Sequence, residues 1–316
     1  MVMDPTSKPI SSLSLDLDNQ WSYMRSSNIA GWEEFPSYLD IAVPRSIDFF
    51  QDLRLKLTYF IVGKDAELEK NHDAIMQIAD AGHEIGNHSF NHEPWLHLYS
   101  KTELIEEFEK TETAIENVTG RKTLGFRAPG FSVSPTVLEV LVERGYEYDC
   151  STFPTYIGPL ARAFYFLKSE KMSESEREKR KQLFGKISDG FQTLRPHILE
   201  INGKKIIEIP VTTLPIFKVP VHVSYLMYLA SFSKFLAKRY WRTALTFCNI
   251  SKTPPSLLLH PLDFLGGEDV TELKFFPGMS MTSHEKIELL HWIISSLDNK
   301  TNILTMKEQA DIVAAK

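Results

Sequence analysis

The strongest constraint on how this chain can fold is the order in which two apolar periods follow one another. Residues 13–18 alternate strictly, with Leu13, Leu15 and Leu17 on one side and Ser14, Asp16 and Asp18 on the other, which is the period of a strand. Residues 41–53 then carry a helical period, and 55–62 read as a strand closed by Gly63. A helix over 73–81 stops at Gly82, and a short strand over 83–87 follows. Next come a charged helix over 102–118 stopped by Gly120, a strand over 123–127, a helix opened by Ser134 and Pro135, and a strand over 146–149 beyond Gly145. Strand signals return at 205–209, 256–259 and 302–304, with a helix over 285–297. About eight strands with helices between them and no internal repeat predict a parallel sheet, open or closed into a barrel.

Composition narrows the class of partner. A chain of 316 residues accommodates one large barrel or two ordinary domains. Apolar residues at 43% and charged residues at 24% exclude a disordered chain. The net charge of −6 argues against nucleic acid, whose phosphates require a basic face. Two cysteines, Cys150 and Cys248, make no disulfide framework and suit a reducing, cytoplasmic compartment, and no secretory signal is visible. The uncharged run over 219–233 contains Pro220 and His222 and falls short of the roughly 20 residues that a membrane span requires. The basic, aromatic stretch over 234–242 follows it. Packing of 219–242 on its own domain is the preferred reading, and peripheral contact with the inner membrane face is the alternative. Nothing in the sequence sets an oligomeric state.

In a barrel of parallel strands, chemistry collects at the C-terminal strand ends. There the sequence places Asp16 and Asp18, His88 and His92, Arg127, Asp149 and His260. Asp16 and Asp18 lie two apart, so in a strand both point one way, about 6 to 7 Å apart. One could bind a metal while the other accepts a proton; the plainer alternative is a pair of acids ending a strand. Asp is depleted in strand interiors, so Asp16 in this apolar setting calls for a reason. His88 and His92, at i and i+4, would present both imidazoles to one side of a helical turn, though such a pair also arises by chance. With Asp18 they form a His–His–Asp set that leaves a coordination position open for water, suited to Zn2+ or to Co2+, Ni2+ or Fe2+. Arg127 stands beside a Pro–Gly turn, where a surface role is equally open, and His260 precedes Pro261 where a strand would end.

These residues fall in motifs that resemble the NodB-type polysaccharide deacetylases (carbohydrate esterase family four), metal-dependent enzymes on a distorted (β/α) TIM-like barrel of about seven to eight strands. The motifs are Ser14-Leu-Asp-Leu-Asp18, Asn87-His-Ser-Phe-Asn-His92, Phe126-Arg-Ala-Pro-Gly130, Tyr146-Glu-Tyr-Asp149 and Leu257-Leu-Leu-His-Pro261, in the family's order. The resemblance implies Asp16 as catalytic base, Asp18, His88 and His92 as metal ligands, Arg127 holding the base, and Asp149 supporting the acid His260. Two departures stand out: Leu17 separates aspartates that are adjacent in many members, and no tryptophan follows Asp149. The resemblance covers 11–154 and 205–316 as a single domain. Residues 155–204 match nothing in it and read as an insertion, with 168–182 dense in Lys, Glu, Arg and Ser. The implied reaction is hydrolysis of an N-acetyl group on an amino sugar that is polymeric, nucleotide-linked or lipid-linked. A deformylase, another linear or cyclic amide hydrolase, or a carbohydrate-binding scaffold without activity are the alternatives. Asn87-His88-Ser89 is formally a glycosylation acceptor, but it overlaps the expected metal ligands and so favours a non-secreted protein.

Overall fold

The alternating leucines of the first strand show how the sheet is built. The computed structural model describes residues 8–156 and 190–316, and in it β1 runs over Ile10–Asp16. Leu13, Leu15 and Leu17 are buried in the largest apolar cluster, between sheet and helices. The intervening Ser12, Ser14 and Asp16 are buried too. Their face looks into a barrel: Ser12 Oγ donates to Gln309 Oε1 (2.7 Å), and Ser14 Oγ accepts from Arg127 Nη2 (3.3 Å).

After β1 come α1 (Gln20–Ser26), α2 (Leu39–Asp52), β2 (Thr58–Ile61), α3 (Gly63–Glu67), α4 (His72–Asp80), β3 (Glu84–Asn87) and α5 (Lys101–Thr119). They are followed by β4 (Gly125–Phe126), α6 (Pro135–Arg144) and β5 (Tyr148–Asp149). Beyond residue 189 the order is β6 (His197–Ile201), β7 (Lys204–Glu208), α7 (Val223–Phe232), α8 (Lys234–Ser251), β8 (Ser256–Leu259), α9 (Ser283–Asp298), β9 (Asn302–Leu304) and α10 (Met306–Ala314). The helix boundaries follow their caps. Ser100 and Glu103 form a reciprocal capping box that opens α5, and Gly120 closes it with φ 65°. Ser134 caps α6 ahead of Pro135, and Gly145 ends it with φ 85°.

The sheet order is β6-β7-β5-β4-β3-β2-β1-β8, and every neighbouring pair is parallel except β6–β7. β9 pairs with Ile10–Ser12 of β1, while β2 pairs with Ser14–Asp16. The two ends of the parallel run meet beyond β7, where Thr212 N–H donates to Ser256 O (3.1 Å) and Ser256 N–H to Thr212 Oγ1 (2.6 Å). Two hydrogen bonds thus stand where a full ladder would close the circle, giving the distorted (β/α) barrel expected from the sequence. Phe60, Tyr148, Cys150, Ile207 and Ile209 fill its interior together with Met306 and Ala310 of α10. Their rings fit because the neighbouring strands carry glycine: a Cβ on Gly125 would lie 1.8 Å from Tyr148, and one on Gly86 would lie 2.5 Å from Phe60. α10 covers the N-terminal strand ends, with Met306 N–H donating to Thr58 Oγ1 and Lys307 N–H to Glu84 Oε2. The opposite, C-terminal rim is left to the chemistry.

Two expectations change in detail. Residues 197–201, read as part of an insertion, form β6, an antiparallel edge strand paired on one side only. Its outward residues include Ile198, so it lacks the apolar-polar alternation that marks a half-buried strand. The expected strand over 13–18 ends at Asp16, and Asp18 lies in the loop beyond. The charged stretch 168–182 lies outside the described residues.

Candidate functional site

The site is built from strand ends, one residue at a time. Asp16 closes β1 on the inward face. Leu15 pairs with Leu259, the last residue of β8, and His260 follows directly beyond that strand. Arg127 follows β4 and is fully buried, with its guanidinium carbon 4.9 Å above the Phe60 ring. Its Nη1 donates to Asp16 Oδ1 (3.3 Å) and Oδ2 (3.4 Å). Burial, the largest single effect, lowers the Arg127 pKa, but Asp16, Cys150 and Asp149 together outweigh it and the pKa lies above the ordinary value.

Asp18, His88 and His92 converge above this pair. Asp18 Oδ1 lies 3.2 Å from His88 Nε2 and 2.9 Å from His92 Nε2, and Asp16 Oδ2 lies 3.9 Å from His88 Nε2. Despite these distances, Asp18 Oδ1 is buried without a hydrogen bond of good geometry. Three donor atoms that crowd together yet do not point at one another fit a shared cation, and their N,N,O chemistry suits zinc or a similar divalent ion. His88 Nδ1–H donates to Arg127 O (2.7 Å), which fixes the tautomer and turns the Nε2 lone pair toward Asp18. Burial raises the Asp18 pKa, but His92 and His88 together hold it well below the usual carboxylate range. For His88 the carboxylates outweigh burial and raise the pKa; for His92 burial prevails and lowers it.

The expected helical turn at 88–92 is absent. Ser89 (φ 60°) and His92 (φ 51°) are left-handed, and the loop is held from outside by Glu107 of α5. Glu107 Oε1 accepts from Phe90 N–H (3.0 Å) and Asn91 N–H (2.7 Å), and its Oε2 from Asn91 Nδ2 (2.8 Å). The i, i+4 spacing brings the imidazoles together through this bent loop, a conformation that costs non-glycine residues energy and relies on such anchoring. On the other side, Arg25 Nη2 donates to His92 O (2.7 Å), and the Trp21 ring meets His92 edge-on at 6.4 Å.

His260 takes its support from elsewhere than expected. Its Nδ1 lies 3.0 Å from Ser224 Oγ of α7, and its backbone N–H donates to Asp263 Oδ2 (2.8 Å). Asp149, the expected partner, instead accepts from Ser151 Oγ (2.5 Å) and lies opposite Glu208 across the β5–β7 ladder. Burial raises both of these carboxyls, Glu208 well above the ordinary value with Asp149 adding to the effect. At Asp149 the hydrogen bonds with Glu208 and Ser151 and the charge of Arg127 offset part of that rise. The sequence reading missed Glu208, Ser224, Asp263 and Glu107. Only Glu208 had a readable signal, an acid closing an apolar strand, as Asp16 does.

The rim His–His–Asp cluster and buried acid–arginine pair on a distorted (β/α) barrel define a class of barrel proteins with one candidate metal centre. The polysaccharide deacetylase family model matches residues 36–148 of the chain. The chain is 30% identical over 112 residues to the peptidoglycan deacetylase of Helicobacter pylori, covering 35% of this chain and 37% of that protein. It is 28% identical over 112 residues to a peptidoglycan-N-acetylglucosamine deacetylase of Bacillus cereus, covering 33% and 47%. The matched region is thus less than half of either relative. A solved structure from Mycobacterium smegmatis assigned to the polysaccharide deacetylases shares the fold, with a TM-score of 0.65 and 18% identity over 99% of this chain and 93% of that one. The PuuE allantoinase structure shares it at a TM-score of 0.56 and 16% identity, covering 98% and 91%.

Proposed function

We propose that this protein hydrolyses the N-acetyl group of an amino sugar in a polysaccharide, glycolipid or other glycoconjugate. The observation that carries the reading is the crowding of Asp18 Oδ1, His88 Nε2 and His92 Nε2 beside the Asp16–Arg127 pair. Asp18, His88 and His92 would hold a divalent ion, Zn2+ or a similar metal. Such an ion, when bound, lowers the pKa of water and polarises an acyl oxygen.

The rest is done by the chain's own groups. Asp16 is held by Arg127 at the inward end of β1 and takes the proton of the attacking water. Arg127, buried and charged, fixes the carboxylate and supplies the positive potential that keeps it in place. His260, just beyond β8, gives a proton to the departing amine, and its ring is oriented by Ser224. Asp149 adds a weaker attraction to Arg127 alongside Asp16.

The test is acetate release from a series of N-acetylated sugars, polymeric, nucleotide-linked and lipid-linked, with zinc supplied and metal content measured. We expect one class to react, with His88→Ala losing both metal and turnover. Full turnover after exhaustive chelation would overturn the metal assignment. Turnover only of N-formyl or cyclic amide substrates would overturn the deacetylase reading while sparing the site.

A further inference from the structure

We infer that the outer face of α7 and the first turn of α8 form a docking surface for an anionic lipid membrane. α7 contains no charged residue. Its inner side, including Leu226, Met227 and Ala230, is buried in the main apolar cluster. A surface helix ordinarily turns a polar face to solvent, but here Tyr225, Tyr228 and Phe232 form a stripe at i, i+3 and i+7 on the outside. Phe235 and Leu236 of α8 continue it, and Phe232 and Phe235 are 72% and 71% exposed. A contiguous apolar surface of this kind on a folded chain marks an interaction site.

Charge identifies the partner. Residues 219–242 contain Lys234, Lys238, Arg239 and Arg242 and no acid, in a chain whose net charge is −6. Lys234 pairs with Glu285 (3.0 Å), Lys238 and Arg242 stand over Trp292 at 5.0 and 5.2 Å, and all four cations lie on α8, which continues the apolar stripe through Phe235 and Leu236. Aromatic residues flanked by cations suit the boundary between acyl chains and anionic headgroups. Among the described residues no helix is long and apolar enough to cross a membrane, so the contact is one of lying on the surface.

The surface opens onto the candidate site. The Tyr225 ring lies 4.3 Å from His222, whose ring lies 5.8 Å from that of His260, and Ser224 of α7 hydrogen-bonds His260. A membrane-seated protein would therefore present its barrel mouth to substrates at the lipid boundary. The docking surface itself stands independently of the deacetylase reading, and its test needs no turnover.

The experiment is co-flotation of the full chain with phosphatidylcholine vesicles, with and without about 30% phosphatidylglycerol. We expect flotation with the anionic vesicles only, weakened by salt. It should fall by about tenfold or more in the Phe232→Ser/Phe235→Ser variant, since both rings leave the lipid, and fall again in Arg239→Glu. These residues are exposed, so thermal melting should be unchanged and a loss of flotation is not a loss of fold. The inference is overturned by no flotation, or by equal flotation of wild type and variants. It is also overturned if sedimentation velocity shows a dimer that the same substitutions dissociate, because a second copy would then cover the surface.

Discussion

The Asp16–Arg127 pair is where catalysis and stability can be tested together. Arg127 is fully buried and the Asp16 side chain is 6% exposed, so neither charge has water to fall back on. Removing one partner of a buried pair leaves the other uncompensated, at a cost of about 3–5 kcal/mol. The contacts of 3.3 and 3.4 Å are long for a charge-assisted hydrogen bond, and Asp149 adds weaker attraction to Arg127, so the lower end applies. Asp16→Asn should therefore destabilise by about 3 kcal/mol, or roughly 4–5 °C in Tm for a chain of this length. Arg127→Met should do the same, and the double variant should lose less than the two single losses combined, with a coupling of about 2 kcal/mol or more. Urea denaturation followed by circular dichroism at constant m reads these values. Turnover of Asp16→Asn should drop by about 10²–10⁴, the usual contribution of a general base, while metal content is kept. Additive single effects in the cycle would refute the ion pair, and a fully active Asp16→Asn would refute the base.

Two further outcomes follow from the scaffold. Glu107→Ala removes three hydrogen bonds from the 88–92 loop, and metal affinity should weaken by about 10–100-fold, as for loss of other outer supports; isothermal titration with Zn2+ measures it, and unchanged affinity would show that the loop holds itself. Asp65, wholly buried, accepts from Asn19, Trp21 and Asn71 through one oxygen while the other has no partner, and burial raises its pKa to about 7. With the folded pKa above the unfolded value, its protonated form supports the fold at low pH, and that support is lost as pH rises from about 4 through 7, by on the order of 4 kcal/mol. Asp65→Asn should keep the three hydrogen bonds and remove this pH dependence, gaining stability at pH 8 in metal-free protein; a wild type equally stable at pH 5 and 8 in urea denaturation would contradict it.

The sheet was largely legible because its strands are short and bounded by strong stops. Gly82, Gly120 and Gly145 end three helices where expected, and the alternation of residues 13–18 anticipates which residues of β1 face the helices. What the alternation could not say is that its polar side is buried, since serine and aspartate facing a barrel interior read the same as residues facing water. Asp16, Asp18, His88, His92, Arg127 and His260 were singled out by residue type at strand ends, as candidates. Ser224 and Glu107 were not, because each acts from a helix distant in sequence and only the folded chain brings it to the imidazole or loop it holds. The helical turn expected at 88–92 failed for a related reason: spacing alone cannot distinguish a helical i, i+4 pair from two residues bent together by an outside carboxylate.

The pairing of β1 with β9 has a consequence for how the chain is made. Ile10–Ser12 align with Asn302–Leu304, Ser11 Oγ meets Thr301 Oγ1 at 2.7 Å, and Ser12 waits for Gln309. The strand that carries Asp16 leaves the ribosome about 290 residues before the strand that covers part of its edge. At about 5–20 residues per second, that edge stands unpaired for roughly 15 to 60 s. During that interval the nascent chain exposes an apolar, alternating strand suited to wrong partners. Efficient production should then depend on chaperone occupancy of β1 as it emerges, and synthesis slowed between β1 and β9 should raise aggregation while leaving the refolded protein's stability untouched.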